Sequence, residues 1–242
     1  MSLKQAEILG VNVNSLTMVQ AVEKVQQFID ERKNALVATA NAEMLMRATQ
    51  DEELKHILNS ADLVVPDGAG TVWAANYLGV EMPERVAGYD LAQELMRGEP
   101  GRGDRIYFFG SAPGVAESAR EKAMELYPGI KIVGTRNGFF SEADEPEIIA
   151  EIKAARPDIL LVALGVPKQE KWLYKYRQAL QVPVAIGVGG TLDVMAGVMQ
   201  RAPLWMQKAK LEWLFRGLKQ PSRAGRLLAL PKFVMKVMAS KK

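Results

Sequence analysis

Residues 159–180 read I-L-L-V-A-L-G-V-P-K-Q-E-K-W-L-Y-K-Y-R-Q-A-L and combine an apolar run with an amphipathic one. The apolar run 159–164 predicts a strand. A helix is predicted to start directly after it and to run from Pro167 to Leu180. A strand that passes straight into an amphipathic helix is typical of a parallel sheet covered by helices.

The same alternation of short apolar runs with longer amphipathic ones extends outward from this stretch through residues 1–198. Further strands are predicted at 7–13, 35–39, 62–66, 105–109, 130–134 and 184–188. Helices are predicted between them, at 17–33, from Pro113 to about 127 and at 142–156, with proline suited to a first helical turn. The predicted fold class is α/β: a Rossmann-like, mostly parallel sheet flanked by helices.

The charge of the chain is divided unequally along its length. Residues 201–242 contain eleven Lys/Arg and one acid, Glu212, whereas residues 1–200 contain twenty Lys/Arg and twenty-seven acids. The basic segment also contains Trp205 and Trp213. Basic and apolar residues at helical spacing are typical of a helix that lies on an anionic membrane surface. We therefore expect a body of residues 1–198 and an amphipathic helical appendage of residues 199–242.

Two helical stripes of apolar residues are predicted in the appendage. They consist of Leu204, Leu211, Leu214, Phe215 and Leu218, and then of Leu227, Leu230, Val234, Val237 and Met238. A break is predicted between them at Pro221, and a kink at Pro231. Because apolar stripes need covering in solution, we expect the body, a second subunit or lipid to cover them. A homo-oligomer that rearranges on the membrane is one such arrangement.

The chain has no cysteine and a single histidine, His56. Without cysteine there is no disulfide, thiolate nucleophile or cysteine metal site, which fits a reducing cytosol. One histidine disfavours a Ser-His-Asp hydrolase and a multi-histidine metal site, and its polar surroundings predict a surface residue. No stretch approaches the roughly 20 apolar residues of a spanning helix, and the first residues lack an apolar signal region.

Candidate site residues follow the predicted strands, because ligands of parallel α/β sheets bind where strands end and helices begin. Five strand ends carry polar residues or glycines: 39–43 (T-A-N-A-E), 66–68 (P-D-G), 109–114 (F-G-S-A-P-G), 164–170 (L-G-V-P-K-Q-E) and 187–193 (G-V-G-G-T-L-D). Structural alternatives exist. Asp67 with Gly68 is a turn or a helix cap, Thr39 and Asn41 are caps, and 109–114 is a tight turn rather than a phosphate cradle.

Arg85 lies in the loop-like segment P-E-R-V-A-G-Y-D. It is either a surface arginine or a guanidinium beside a ligand-binding strand end, where its fork suits phosphate oxygens. The chain contains no G-x-x-x-x-G-K, which disfavours a P-loop NTPase, and it lacks the full glycine fingerprint of a nicotinamide-dependent oxidoreductase. It also contains no D-x-D, the pair that holds a divalent ion in many sugar-nucleotide transferases.

Five segments in this order resemble the WecG/TagA/CpsF family of glycosyltransferases: T-A-N-A-E-M (39–44), A-D-L-V-V-P-D-G (61–68), P-E-R-V-A-G-Y-D (83–90), L-G-V-P-K-Q-E (164–170) and G-G-T-L-D-V-M-A-G (189–197). With the basic tail, the resemblance covers nearly the whole chain. The family transfers a sugar from a UDP-sugar to a polyprenyl-diphosphate-linked acceptor on the cytoplasmic face of the membrane. The resemblance implies an inverting reaction that needs no metal.

The resemblance implies a catalytic domain of residues 1–198 and a membrane-targeting appendage of residues 199–242, peripheral on the inner face of the bacterial membrane. The donor is expected to be UDP-N-acetylmannosamine. The acceptor is the 4-hydroxyl of lipid-linked N-acetylglucosamine, in the linkage unit of wall teichoic acid. No cofactor and no nucleic-acid partner are expected. The uronic acid of N-acetylmannosamine and glucose are alternative donor sugars.

By the same resemblance, Asp67 is the general base that takes the proton of the acceptor hydroxyl as it attacks. Thr39 and Asn41 are expected to line the same pocket and to orient sugar or acceptor. Arg85 is expected to steady diphosphate charge, on the donor or on the lipid. Gln169 is expected to hydrogen-bond donor groups beside the departing UDP.

Asp193 and Phe139 are expected at the nucleoside end of the donor. Asp193 is alternatively a helix cap, and Phe139 a packed loop aromatic. Arg216, Arg223 and Arg226 resemble appendage arginines that close over the active site in this family. Without a metal they would supply positive charge to the departing UDP, and alternatively they only touch lipid head groups.

A non-catalytic protein that binds a membrane surface or nucleic acid is the alternative from another class, and the basic tail alone would fit it. Polar groups clustered at strand ends of an acidic body argue against that alternative. So does the lack of basic and aromatic interleaving in the body.

Overall fold

The computed structural model describes residues 3–99, 101–209, 212, 214–215 and 229–241. Its strands are β1 Gln5–Ile8, β2 Val11–Asn14, β3 Ala35–Ala40, β4 Leu63–Pro66, β5 Arg105–Gly110, β6 Lys131–Arg136, β7 Ile159–Ala163 and β8 Val184–Gly187. Its helices in the first half are α1 Met18–Asp30, α2 Ala42–Ala48, α3 Glu52–Ser60, α4 Ala69–Tyr77, α5 Gly88–Arg97 and α6 Val115–Leu126. In the second half they are α7 Glu145–Ala155, α8 Lys168–Leu180, α9 Thr191–Met195, α10 Leu204–Lys208 and α11 Ala229–Ser240.

Six strands form one parallel sheet in the order β4-β3-β8-β7-β5-β6, so the predicted α/β, Rossmann-like fold is confirmed. The prediction of one strand at 7–13 is wrong. Residues 5–14 form two short antiparallel strands, a hairpin that lies outside this sheet. Leu9 and Gly10 have φ values of 52° and 83°, which suit the two-residue turn of a hairpin. The apolar positions change phase across this turn, from Ala6 and Ile8 to Val11 and Val13. The hairpin attaches to β4 through Asn14, whose Oδ1 accepts from the amide of Val64 at 2.8 Å.

The predicted helices are confirmed with small differences at their starts. The helix expected from Pro113 begins at Val115, because Gly114 before it has a left-handed φ of 83°. The helix expected over 142–156 begins as a 3-10 turn, Glu142–Asp144, and continues as α7. His56 is exposed, as its polar surroundings predict, and its Nε2 lies 3.1 Å from the hydroxyl of Tyr174.

Two layers of helices cover the sheet, because successive strand side chains point to opposite faces. On one face, Val37, Phe108, Leu161 and Ile186 pack against α1, α5, α6 and α9. On the other face, two clusters pack the remaining strand side chains against α2, α3, α4, α7, α8 and α11. The helix that follows β3 and the helix that follows β8 thus lie on opposite faces. Since β3 and β8 are neighbours, a crevice opens between their carboxyl ends.

Helix α11, in the predicted appendage, packs onto the body. Phe233 and Val237 are fully buried in the cluster that contains α2 and α4, whereas Met238 is 52% exposed. Of the predicted stripe, Val237 is buried and Leu230 packs against the same cluster, whereas Met238 lies on the exposed side. Leu211, Leu218 and Leu227 of the stripes, and the break predicted at Pro221, lie outside the described residues. Among the residues that the structure describes, no helix is long and apolar enough to cross a membrane.

Candidate active site

Asp67 stands at the carboxyl end of β4, where two features fix its backbone. Its amide donates to the carbonyl of Ala40 at 2.9 Å, so β4 and β3 stay joined beyond their last ladder pair. Gly68 has a φ of 98° and is the N-cap residue of α4. The pair Asp67-Gly68 is thus a strand-to-helix turn, in which Gly68 rather than Asp67 is the N-cap residue. The turn leaves the half-buried Asp67 at the edge where ligands of such sheets bind.

Thr39 and Asn41 follow along the end of β3, beside this turn. The Thr39 hydroxyl donates to the carbonyl of Gly187 at 2.9 Å and so joins β3 to β8. Its methyl packs so closely on Gly88 that a Cβ there would lie 3.0 Å away. Asn41 is the N-cap residue of α2, with its Oδ1 accepting from the amide of Met44 at 3.0 Å. The capping alternative is therefore right for Asn41 and wrong for Thr39.

Arg85 lies on the segment 83–88, which returns to the end of β4. The amide of Val86 donates to the carbonyl of Pro66 at 3.0 Å and holds the segment there. A cavity of about 430 Å³ opens beside it. The cavity is lined by Ala69, Val72, Pro83, Glu84, Arg85, Asp90, Arg201, Leu204 and Gln207. Arg85 is the only candidate site residue among the described ones that lines this cavity. The cavity extends from Arg85 toward Arg201, Leu204 and Gln207 of the basic segment.

Four charged groups meet at this cavity, and two of them come from the basic segment. Nη2 of Arg85 lies 2.9 Å from Oε2 of Glu212 and 3.8 Å from Oδ2 of Asp90. Arg201 holds Asp90 with both Nη groups, at 2.6 and 2.7 Å, and lies over the ring of Tyr89. Arg85 is therefore a paired arginine of which 23% of the side chain is exposed.

Burial and charge act against each other on the guanidinium of Arg201. Burial lowers the pKa of Arg201, but Asp90 and Glu212 outweigh it, so the pKa is raised above its ordinary value. The guanidinium therefore stays charged throughout the physiological pH range.

Gln169 and Glu170 begin α8, beneath the loops that follow β7 and β8. Oε1 of Gln169 accepts from the amides of Gly165 and Gly189, each at 3.1 Å, and thereby joins the two loops. Its Nε2 donates to Oε1 of Glu170 at 2.7 Å. Gln169 is only 1% exposed, so its side chain organises the loops from within. The backbone also approaches closely here, because a Cβ on Gly187 would lie 2.7 Å from Nε2 of Gln169.

Glu170 is an unusual carboxyl that sequence reasoning missed. It is 2% exposed, and its Oε2 makes no hydrogen bond to the described residues. Burial raises the pKa of Glu170 to about 7, against the opposing effect of the Gln169 amide and of Arg47. The carboxyl is therefore about half protonated near neutral pH. Its only signal in the sequence is its place beside Gln169 in a strand-end segment.

Asp193 and Phe139 lie on the other side of β8 from Asp67. Oδ2 of Asp193 accepts from the hydroxyl of Ser111 at 3.0 Å, and Gly190 rather than Asp193 is the N-cap residue of α9. The amide of Ser111 donates to the carbonyl of Ala163 at 2.9 Å, which holds the turn after β5 against the end of β7. Phe139 follows β6 and is 75% exposed, so the packed-aromatic alternative is wrong.

The candidates thus form two groups along the carboxyl edge of the sheet, with the buried Gln169 between them. One group is Asp67, Thr39, Asn41 and Arg85, and the other is Asp193 and Phe139. Arg216, Arg223 and Arg226 lie outside the described residues. Within the described part of the chain, no three His, Cys, Asp or Glu side chains are grouped so that they could hold a metal ion. Nothing in the sequence indicated that Arg201 lies at this cavity. The sequence showed Glu212 as a lone acid in a basic segment, but not that Glu212 pairs with Arg85.

Comparison with known proteins identifies relatives over the whole of this architecture. The model of the glycosyl transferase WecG/TagA/CpsF family matches residues 6–242. A protein of Bacillus spizizenii strain W23 is 37% identical over 211 residues, which are 87% of this chain and 81% of the relative. A protein of Bacillus subtilis strain 168 is 34% identical over 232 residues, 96% of this chain and 89% of the relative.

A third relative, from Staphylococcus aureus strain MW2, is 32% identical over 240 residues, 98% of this chain and 94% of the relative. All three relatives are named N-acetylglucosaminyldiphosphoundecaprenol N-acetyl-beta-D-mannosaminyltransferase. The family resemblance of segments 39–44, 61–68, 83–90, 164–170 and 189–197 is therefore confirmed.

Proposed function

Because the chain belongs to the WecG/TagA/CpsF family of glycosyltransferases, we propose that it transfers N-acetylmannosamine from UDP-N-acetylmannosamine to lipid-linked N-acetylglucosamine. The observation that carries the proposal is the shared name of relatives that are 32–37% identical across nearly the whole chain. That name specifies the transferred sugar and a diphosphoundecaprenol acceptor, but not the carrier of the donor sugar. We take the carrier to be UDP. The product is the linkage unit of wall teichoic acid.

In this reaction Asp67 acts as the general base. Its carboxylate takes the proton of the acceptor 4-hydroxyl while that oxygen attacks the anomeric carbon, which inverts the configuration there. The proposal is supported by the placement of Asp67 at the edge of the crevice, on a backbone fixed to β3. Gly68 leaves room for the acceptor, because it carries no side chain. Thr39 and Asn41 hold the neighbouring strand end in position through their hydrogen bonds.

Positive side chains take the place of a metal at the diphosphate. Arg85 lines the cavity that opens beside segment 83–88, so its guanidinium can meet the diphosphate of donor or lipid. Arg216, Arg223 and Arg226 supply further charge to the departing UDP. Gln169 supports the donor indirectly, by joining the loops after β7 and β8. Asp193 and Phe139 hold the nucleoside end, where the exposed ring of Phe139 is free to stack.

Residues 199–242 bring the enzyme to the cytoplasmic face of the membrane. This part of the proposal is supported by the net charge of residues 201–242 and by Leu204 and Trp205, which are 73% and 65% exposed. Each basic residue near an anionic surface contributes roughly 1 kcal/mol. A self-associated form in solution stays a prediction.

The test is transfer from radiolabelled UDP-N-acetylmannosamine to a short-chain lipid diphosphate carrying N-acetylglucosamine, with EDTA present. Wild type should transfer the sugar, and Asp67→Asn should lose on the order of 10²–10⁴-fold in kcat, the usual contribution of a general base. Asp30→Asn is the matched control, since Asp30 is an exposed carboxylate at the end of α1 that pairs with Arg102. It should keep wild-type turnover.

The other outcomes separate the alternatives. Turnover only with the UDP-linked uronic acid of N-acetylmannosamine or with UDP-glucose would show a glycosyltransferase with a different donor sugar. No turnover with any UDP-sugar, while anionic vesicles still bind, would favour the non-catalytic alternative. Full activity of Asp67→Asn would remove Asp67 from the role of base.

A further inference from the structure

Glu212 is the only acid among the eleven Lys/Arg of residues 201–242, yet it is buried rather than exposed with them. Its Oε2 lies 2.9 Å from Nη2 of Arg85, and its Oε1 lies 3.7 Å from Nε of Arg201. Both arginines line the cavity beside the candidate active site. One carboxylate therefore spans two guanidinium groups at a place where a substrate is expected.

The second arginine is not fully satisfied by its partners. Asp90 takes both Nη groups of Arg201, but the buried Nε makes no hydrogen bond within the described part of the chain. The carboxylate of Glu212 attracts that Nε at 3.7 Å, a distance too long for a hydrogen bond. A buried N–H without an acceptor is costly, so this site favours an oxyanion that comes closer than Glu212 does.

Guanidinium groups bind carboxylate and phosphate oxygens through the same fork. A phosphate carries more charge and more acceptor oxygens than a carboxylate, so it can meet both arginines at hydrogen-bond distance. We propose that Glu212 occupies an anion site formed by Arg85 and Arg201, and that a phosphate of the diphosphate substrate displaces it. The proposal rests on the proposed function for the substrate class. It adds Arg201 as a binding residue and Glu212 as an internal competitor.

Competition of this kind has a measurable consequence. The affinity of the wild type for a diphosphate is reduced by the fraction of molecules in which Glu212 fills the site. Removing the carboxylate removes this competition, so Glu212→Gln should bind the anion more tightly.

The experiment is calorimetric titration of the full-length protein with inorganic pyrophosphate. Glu212→Gln should lower Kd by about five- to tenfold, which corresponds to about 1.4 kcal/mol at the upper end. Arg201→Gln should weaken binding and should abolish most of the gain from Glu212→Gln in the double variant. The same titrations with UDP and with farnesyl diphosphate then show which substrate's diphosphate uses the site.

Glu84→Gln is the matched control, because Glu84 lines the same cavity but its carboxylate accepts from the amide of Met18 at 2.7 Å. A general effect of lost negative charge would tighten binding equally in this control, and that result would overturn the proposal. Unchanged or weaker binding by Glu212→Gln would also overturn it. If that variant does not fold, Glu212→Asp keeps the charge on a shorter side chain and should give a smaller gain; no gain there counts against the proposal.

Binding is measured without turnover, so the two proposals fail separately. A tighter Glu212→Gln with no sugar transfer by wild type would keep the anion site and remove the proposed function. Sugar transfer by wild type, with unchanged pyrophosphate binding by Glu212→Gln, would keep the proposed function and remove the competition at the anion site.

Discussion

Replacing Glu170 by glutamine should change how the stability of the protein depends on pH. Glu170 is 2% exposed, and burial raises its pKa from an ordinary 4.5 to about 7. Between these two values the folded protein holds a proton that the unfolded chain releases. The free energy of unfolding of the wild type therefore falls as pH rises through this window, by at most about 1.4 kcal/mol per pH unit.

The size of the effect follows from the shift. A carboxyl that moves from 4.5 to about 7 costs about 3 kcal/mol of stability above neutral pH and nothing well below pH 4.5. The amide introduced by Glu170→Gln cannot titrate, but its Oε1 can still accept from Nε2 of Gln169. The new N–H group has no acceptor where the unpartnered Oε2 of Glu170 lies. This lowers the free energy of unfolding of the variant by an amount that does not depend on pH. The difference between variant and wild type should thus move by about 3 kcal/mol in favour of the variant across the window.

Urea unfolding at several pH values between about 4.5 and 7.5 measures this difference, provided that the m-values agree. Glu145→Gln is the control, because Glu145 is also buried but is shifted the other way. Burial raises its pKa, but hydrogen bonds from Tyr176 and Lys175 outweigh this and lower it. Its contribution is lost only as pH falls below the ordinary value of 4.5, so its difference from wild type should stay constant over the window. Parallel curves for Glu170→Gln and wild type would refute the reasoning.

Two further predictions concern packing. Phe233→Ala should lower the free energy of unfolding by about 3–5 kcal/mol, since Phe233 is fully buried against the body. Met235 lies on the exposed side of α11, so Met235→Ala should change the free energy of unfolding by no more than about 0.5 kcal/mol. Equal effects would show that α11 does not dock. Gly110→Ala should sharply lower the thermal midpoint, because its Cβ would lie 2.4 Å from the backbone of Ala163. Gly129 has a φ of 90° but no atom lies within 4 Å of the added Cβ, so Gly129→Ala should lower the free energy of unfolding by only about 1–2 kcal/mol. If both variants lowered the thermal midpoint equally, the clash with Ala163 would not be the cause.

Most of the sheet could be predicted from local sequence. Strands at 35–40, 63–66, 105–110, 131–136, 159–163 and 184–187 agree with the predicted ones, because buried parallel strands are continuous apolar runs. The hairpin of residues 5–14 was missed, although the apolar positions change phase from Ala6 and Ile8 to Val11 and Val13. The turn also depends on positive φ angles at Leu9 and Gly10, which a pattern of hydrophobicity does not specify.

The candidate site was predicted in outline but not in its contacts. Local signals were enough to select Asp67 and Gln169, because they follow strands and strand ends meet at one edge, whereas Arg85 was selected from a loop-like segment and the family resemblance. They did not reveal that Gln169 is buried and bonded to two loops, or that Glu170 beside it keeps an unpartnered oxygen. Hydrogen-bond partners depend on which strands become neighbours, and the order β4-β3-β8-β7-β5-β6 is set by packing over the whole domain.

The α/β class, the division of charge between body and tail, and the polar strand ends could all be read from the amino-acid sequence. These properties are local, since each depends on residue type and short-range periodicity. The contacts of Glu212 with Arg85 and Arg201, and the burial of Phe233 on the body, become visible in the folded protein alone. Such contacts join residues far apart in the chain, and they form because burial of charge requires a partner and burial of apolar surface requires a complementary face.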